Sequence, residues 1–179
     1  MHPKTRHKLA AFAALIALAA PEANAAASPA TQAGAPKASL DISLACVHLT
    51  QRARDTLNQF NPGLGVTYNF TPEWSTSAGL YRNSLRRNSL YALGAWTPLH
   101  WRVTSEWRLD LGGEAGVLTG YSHRDNPAAP FGAAGLIRLR NEKGYGANVV
   151  IVPNHGASAG FVGLQIVVPF GAFGGKEAR

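Results

Sequence analysis

A histidine and a serine that close two predicted β-strands are the residues best suited to acid–base or nucleophilic chemistry. His48 lies near the end of the first predicted strand, and Ser84 ends the third. A histidine takes and returns a proton near neutral pH, and a serine hydroxyl is a common partner in acyl transfer. The alternative is ordinary, with a histidine at a strand end and a serine that begins a turn. Three further histidines follow the predicted export signal: His100, His123 and His155.

The first 25 residues have the features of an export signal. They contain a basic start, a twelve-residue apolar run and a small-x-small cleavage pattern, namely Lys4, Arg6 and Lys8, residues 9–20, and Ala23-Asn24-Ala25. The apolar run is too short for a membrane-spanning helix, which needs about 20 residues. We therefore predict a signal peptide over residues 1–25, followed by a disordered linker over 26–39 that is rich in alanine, proline and serine.

The composition favours a lipid-facing β-structure. Charged residues make up 15% of the chain, with 19 glycines and aromatics scattered throughout, whereas soluble domains carry about 25% charged residues. The formal charge of +7 is spread along the chain. For an exported protein this favours an anionic lipid surface over nucleic acid as the partner. The one cysteine cannot form an internal disulfide, so strand pairing and burial must hold the fold together.

Eight β-like segments separated by turn residues follow the linker. They are 40–50, 61–70, 74–84, 88–97, 107–121, 130–140, 145–153 and 159–170. No amphipathic helical stretch intervenes, which disfavours a βαβ fold. We therefore predict an all-β protein: an eight-stranded antiparallel transmembrane β-barrel over residues 40–170 with a C-terminal tail over 171–179.

Within the segments, large apolar residues alternate with small or polar ones, and this pattern indicates which face of each strand contacts lipid. Leu64, Val66, Tyr68 and Phe70 share one side of the second segment, and glycine, threonine and asparagine occupy the other. Small residues suit the narrow interior of a closed barrel, and aromatics near segment ends suit the interfacial girdles of a membrane barrel. A soluble barrel also alternates, but with its apolar face inward. Our interpretation is a monomeric barrel in the bacterial outer membrane, too narrow for a general porin.

Because the number of strands is even, both ends of the barrel lie on the same side of the membrane, and the connections alternate between the two sides. Both ends of the barrel, and the joins at 71–73, 98–106 and 141–144, are expected on the periplasmic side. The joins at 51–60, 85–87, 122–129 and 154–158 are expected outside, with His48 and Ser84 at the outer ends of their strands.

The order of landmarks resembles that of the lipid A palmitoyltransferases of the PagP type. The similarity runs from about Ile42 to Phe170. The residues that carry it are Val47-His48-Leu49, residues 61–65, residues 79–84, residues 111–117 with Arg124-Asp125-Asn126, and Val152-Pro153. The resemblance implies transfer of a palmitoyl chain from a phospholipid to lipid A, with the donor chain held in the lumen.

The resemblance also implies roles for individual residues. His48 would be the general base and Ser84 its hydroxyl partner. Asn83 occupies the position of the family's aspartate. An amide can hold a histidine in one tautomer, but unlike a carboxylate it cannot stabilise the protonated ring. The family's helix before the first strand is not expected here, because Pro29 and Pro36 interrupt the linker.

Two charged clusters are further candidates. Arg82, Arg86 and Arg87 could bind lipid A phosphates, since guanidinium forks match phosphate oxygens, or they could form a solvated loop. Asp110 and Glu114 could make a paired-carboxylate site, or they could pair with Arg138 or Arg140 of the next strand. No zinc-ligand spacing or nucleotide-binding glycine pattern is present, so no cofactor or metal is expected.

Two functions therefore remain open. One is an outer-membrane acyltransferase acting on phospholipid and lipid A. The other is a non-enzymatic barrel with a structural or surface-binding role. An apolar, glycine-lined lumen would favour the first, and a lumen plugged by salt bridges would favour the second.

Overall fold

The computed structural model describes residues 37–155 and 158–172, and its strands close into one antiparallel barrel of eight. The strands are β1 (Ala38–His48), β2 (Phe60–Asn69), β3 (Trp74–Arg82), β4 (Asn88–Arg102), β5 (Trp107–Leu118), β6 (Phe131–Asn141), β7 (Gly146–Val152) and β8 (Phe161–Pro169). Each strand pairs with its neighbour along the chain, and β1 closes the barrel against β8. The predicted all-β fold and strand number are confirmed.

Some predicted segments fall outside the described residues. These are the export signal, residues 26–36 of the linker and residues 173–179 of the tail. The last two residues of the predicted linker, Ala38 and Ser39, belong to β1, where they pair with Tyr68 and Thr67 of β2. The barrel therefore begins two residues earlier than the composition indicated.

The aliphatic face of the barrel points outward. Leu64 on β2, Leu80 on β3 and Leu90 on β4 are 53%, 56% and 60% exposed. Successive side chains of a strand point to opposite faces, so these rows leave the other residue of each pair facing the lumen. The predicted aliphatic faces of the second and last segments both lie outside. This arrangement is the reverse of the one expected for a soluble barrel.

Exposed aromatic side chains concentrate near the strand ends. They are Tyr68, Phe70, Trp74, Trp96, Trp101, Tyr145 and Phe170 towards one end, and Phe60 and Phe131 towards the other. Trp74 and Trp96 are cross-strand partners whose rings stack at 5.7 Å. Three other aromatics near the segment ends do not join these girdles and are directed inward: Tyr81, Tyr121 and Phe161. Tyr81 and Tyr121 join their hydroxyls at 3.1 Å, because the chain leaves the strand pattern after Leu118.

The connections divide between two rims, as predicted. The upper rim carries those after β1, β3, β5 and β7, and the lower rim carries the barrel's two ends and the connections after β2, β4 and β6. The connection after β1 contains a short helix, α1 (Gln51–Thr56), which the sequence analysis did not predict. No helix in the described part of the chain is long and apolar enough to cross a membrane.

The lower half of the lumen holds a charged network. The Arg108 guanidinium contacts both carboxylate oxygens of Asp110, with Nε 2.7 Å from Oδ1 and Nη2 2.9 Å from Oδ2. Arg138 on β6 reaches across the lumen and donates to Ser75 Oγ on β3 at 2.5 Å. Hydrogen bonds add partners from four more strands: Asp41 with Thr67, Arg140 with Asn148, and Asn148 with Gln165. These bonds compensate the burial of ionic side chains.

The upper half of the lumen combines small and apolar residues with uncharged polar ones such as Tyr81, Tyr91 and Ser89. From the middle of each strand to the upper rim, the inward positions include Gly63, Gly65, Gly79, Gly116, Leu118, Gly132, Val150, Val152, Phe161 and Gly163. Some of these glycines make room for neighbours, since a Cβ at Gly79 would meet the Tyr91 hydroxyl and the Leu64 carbonyl. The lumen therefore changes along its length from a charged floor to a glycine-rich upper half that Tyr81 and Tyr91 partly fill, with their rings 6.0 Å apart.

One glycine on β5 is required by the close approach of its neighbour. A Cβ at Gly116 would overlap the Ala92 carbonyl oxygen and lie 2.8 Å from Leu93 Cα, whereas a Cβ at Gly94 meets nothing within 4 Å. We expect Gly116→Ala to lower the free energy of unfolding by about 1–3 kcal/mol, because β4 must shift. Gly94→Ala should change it by less than about 0.5 kcal/mol. Urea titration followed by tryptophan fluorescence measures both, and equal effects would contradict the packing argument.

Candidate functional site

His48 ends β1 at the upper rim and is covered on several sides. Only 1% of the residue is exposed. Its ring lies 6.1 Å from that of Phe161, its partner on β8, at an angle of 59°. Arg54 of α1 donates to the His48 carbonyl oxygen at 2.9 Å. The connection after β1 therefore covers the histidine, and a substrate must approach it from the lumen or by displacing this cover.

Ser84 reaches the same place from the turn after β3. Its backbone carbonyl accepts a hydrogen bond from the Asn58 N–H at 2.9 Å, which ties the turn to the connection after β1. Its hydroxyl oxygen lies 3.8 Å from the Cys46 sulfur, and that sulfur lies 4.0 Å from His48 Nδ1. In the part of the chain that the structure describes, the side chains of His48 and Ser84 are not hydrogen-bonded to each other directly. The two predicted residues thus converge on a third side chain between them.

Cys46 is the member of this cluster that the sequence analysis missed. It is buried, and a β-bulge between Ser43 and Ala45 shifts the alternation of β1 so that Cys46 and His48 both face inward. A thiol can contact a histidine nitrogen and a serine hydroxyl as a weak donor or acceptor. The available signal was the two-residue spacing from His48, which places both residues on one face of a strand.

Asn83 is used by the fold rather than by the histidine. Its amide nitrogen donates to Ser89 Oγ at 2.9 Å and to the Gly120 carbonyl at 3.1 Å. Its oxygen accepts from the backbone N–H groups of Leu85 and Arg87 at 2.9 and 3.0 Å. An asparagine side chain has two donor hydrogens and two acceptor lone pairs, so these four bonds use its full capacity. Asn83 holds the turn that positions Ser84.

The three arginines predicted to bind phosphate separate into two groups. Arg87 pairs with Asp125 at 3.2 Å. The Ser122 N–H and hydroxyl, and then the Arg87 guanidinium, hold the pKa of Asp125 below its ordinary value. Arg82 and Arg86 instead line a shared cleft on the outer wall, with Asn58, Phe60 and Pro62. Only two of the three therefore form a common site.

The predicted carboxylate pair is divided in a similar way. Asp110 is 2% exposed and is held by Arg108 of its own strand, rather than by the predicted Arg138 or Arg140 of the next strand. Glu114 lies four residues further up β5, on the same inward face and midway along the lumen. With its oxygens committed to Arg108, Asp110 belongs to the charged network of the lower lumen.

Among the described residues, no group of three or more histidine, cysteine, aspartate or glutamate side chains is arranged to hold a metal ion. No protein-family model matches the chain, and comparison with curated proteins finds no significant relative.

Proposed function

We propose that this barrel spans the bacterial outer membrane and transfers a palmitoyl-type acyl chain from a phospholipid to lipid A. The observation that carries the proposal is the convergence of His48 and Ser84, from β1 and the turn after β3, on the Cys46 sulfur. This places a base and a hydroxyl at one end of the barrel. The outward aliphatic rows support the membrane location, because lipid-facing strands carry apolar side chains outside.

The proposed chemistry needs one proton carrier and one hydrogen-bond donor. His48 takes the proton of the acceptor hydroxyl as that oxygen attacks the donor ester carbonyl. The Ser84 hydroxyl donates to the oxyanion that develops on the carbonyl oxygen. When the ester C–O bond breaks, the departing lysophospholipid oxygen takes the proton back from His48. No cofactor is needed, since one ester bond forms as another breaks.

The upper lumen supports the choice of a hydrocarbon substrate. Its inward positions include several glycines with Leu118, Val150, Val152 and Phe161, beside Tyr81 and Tyr91, and the Arg108–Asp110 and Arg138–Ser75 contacts lie below them. An acyl chain is favoured in such surroundings and disfavoured among ionic groups. The polar floor would therefore limit how deep a chain can go.

A second candidate is a barrel without enzymatic activity. The observation in its favour is the charged network itself, which ties strands together across the lower lumen through bonds such as Arg138 to Ser75. Such a network is expected in a barrel whose role is structural or whose surface binds a partner. The two candidates differ in what they require of the upper rim, since only the transferase needs His48 and Ser84.

Mass spectrometry of lipid A decides between them. Lipid A from cells that express the protein should gain the mass of one acyl chain, and cells without it should not. Because the trigger is unknown, the comparison is made with and without membrane stress by chelation of divalent cations. Unchanged lipid A under both conditions, with the barrel folded in the outer membrane, would overturn the transferase and leave the structural role.

A further inference from the structure

A cleft on the outside wall of the barrel lies just below the upper rim. It has a volume of about 210 Å³ and is lined by Asn58, Phe60, Pro62, Arg82 and Arg86. Phe60, Pro62 and Arg82 are outward residues of β2 and β3. The cleft therefore opens away from the lumen, whereas His48 faces the lumen, and Asn58 contacts both the cleft and the Ser84 carbonyl. Its size fits a head group but not a whole lipid.

The cleft carries two positive charges that the protein leaves uncompensated. No carboxylate of residues 37–155 or 158–172 lies within ion-pair distance of Arg82 or Arg86, whereas their neighbour Arg87 pairs with Asp125. Two guanidinium groups beside one cleft can bind phosphate oxygens through paired N–H donors. Two guanidinium groups with no neighbouring carboxylate bind a ligand of charge −2 best. Among lipid head groups, a phosphate monoester carries that charge.

The backbone at Arg86 fits this interpretation. Arg86 adopts a φ of 62°, the left-handed region, where its N–H donates to the Asn83 carbonyl at 2.9 Å. Glycine or asparagine occupies this conformation at lower cost than a long side chain does. The turn therefore holds an arginine where the fold alone would favour glycine, and that arginine lines the cleft.

An apolar strip leads away from the cleft along the outside wall. Leu64 of β2 and Leu80 of β3 are cross-strand partners, and Val66 and Ala78 continue the strip towards the lower rim. The two leucines are largely exposed. A ligand with its phosphate at Arg82 and Arg86 can lay a hydrocarbon chain on this strip, whereas a free phosphate ion gains nothing from it.

We propose that this cleft is a binding site for a lipid with a phosphate monoester head group, held on the outside of the barrel with its chain along β2 and β3. The cleft faces the outside of the barrel, whereas the proposed transfer cluster faces the lumen, and the proposal concerns binding alone. The proposal does not depend on acyl transfer, because a barrel with no transferase activity would bind this lipid equally well.

Native mass spectrometry of the detergent-solubilised barrel tests the proposal. Phosphatidic acid supplies the monoester, phosphatidylglycerol the diester and phosphatidylcholine the zwitterion, all with the same chains. We expect phosphatidic acid to bind at least about tenfold more tightly than phosphatidylcholine, because its monoester carries up to one more negative charge and no choline cation that would oppose Arg82 and Arg86. Phosphatidylglycerol should fall between them, and inorganic phosphate at the same concentration should not displace phosphatidic acid.

Variants locate the site. Arg82→Gln and Arg86→Gly should each weaken phosphatidic acid binding about tenfold, the effect of losing one charge-assisted contact. Arg86→Gly also relieves the left-handed backbone, so its thermal midpoint should not fall, and it keeps the test decisive if Arg82→Gln misfolds. Arg87→Gln and Arg124→Gln are matched controls at the same rim and should change binding less than about twofold.

Three results would overturn the proposal. One is equal binding of phosphatidic acid and phosphatidylcholine, and another is an equal loss of binding in the control variants. The third is displacement of the lipid by inorganic phosphate, which would mean that the cleft binds phosphate and that the acyl chain of the lipid contributes nothing. None of these results involves lipid A acylation, so failure here is distinguishable from failure of the proposed transferase.

Discussion

His48→Ala is expected to lower the rate of acyl transfer by roughly 10²- to 10⁴-fold, the usual contribution of a positioned general base. The acceptor hydroxyl would then have to attack without a group to take its proton. Ser84→Ala should lower the rate of acyl transfer by about 10²- to 10³-fold, as expected for the loss of one hydrogen-bond donor to an oxyanion. The measurement is transfer of a labelled acyl chain from phospholipid to lipid A by purified barrel in mixed micelles.

The matched control for this series is His123→Ala. His123 lies in the exposed connection after β5, and it is not part of the His48 cluster. Its removal should leave the rate unchanged. All variants should keep the strand content of the parent barrel, because the pairing of His48 with Phe161 and its bond with Arg54 involve the His48 backbone. Full activity of both His48→Ala and Ser84→Ala would remove the catalytic role of the upper-rim cluster.

The second large effect is expected at Asn83, where the PagP-type resemblance and the structure disagree about the best residue. Asn83→Asp introduces the carboxylate that the resemblance implies at this position, but it removes both amide donors. A carboxylate oxygen would then face the Gly120 carbonyl oxygen, whose distance from the amide nitrogen is now 3.1 Å. The side chain is fully buried, so we expect the free energy of unfolding to fall by about 2–4 kcal/mol.

Equilibrium unfolding in urea measures this loss, and Asn88→Asp provides the control. Asn88 begins β4 beside the same turn but is exposed, so its change should lie within about 0.5 kcal/mol. Transfer activity should fall along with stability in Asn83→Asp, because the turn that carries Ser84 loosens. A stable Asn83→Asp barrel with higher activity would mean that this position acts on His48 and not on the turn.

The parts of the fold that were predicted correctly depend on local patterns. The pleat of a strand makes side-chain direction alternate every two residues. The outward rows of β2 and β8 were therefore readable from Leu64, Val66 and their counterparts without knowledge of the strand order. The rims followed from counting strands. Each inference needed only residues close together in the chain.

The parts that were missed depend on shifts in register or on distant partners. The bulge after Ser43 changes which residues of β1 face inward, and a second irregularity between Trp96 and Leu99 lets β4 continue past Pro98 to Arg102. The predicted join at 98–106 is therefore mostly strand. Nothing in the local sequence indicated that Cys46 would lie between His48 and Ser84, since Ser84 is 38 residues away.

The same is true of the polar partners. Three neighbouring arginines look equivalent in sequence, and only the fold brings Asp125 to Arg87 and leaves the other two on the outer wall. Asn83 could be aligned with a catalytic position, but its four hydrogen bonds depend on a turn and on Gly120 of a separate connection. Side-chain chemistry narrows the candidates, and tertiary contacts assign their roles.

The hydrogen bond from Arg138 to Ser75 joins the sixth and third strands through the centre of the barrel. A hydrated ion travelling down the axis would have to displace that guanidinium and the neighbouring Arg108–Asp110 pair. In a planar bilayer the protein would therefore carry no steady current. If the barrel spans the outer membrane as we propose, a cell can carry many copies of it without losing small molecules through them.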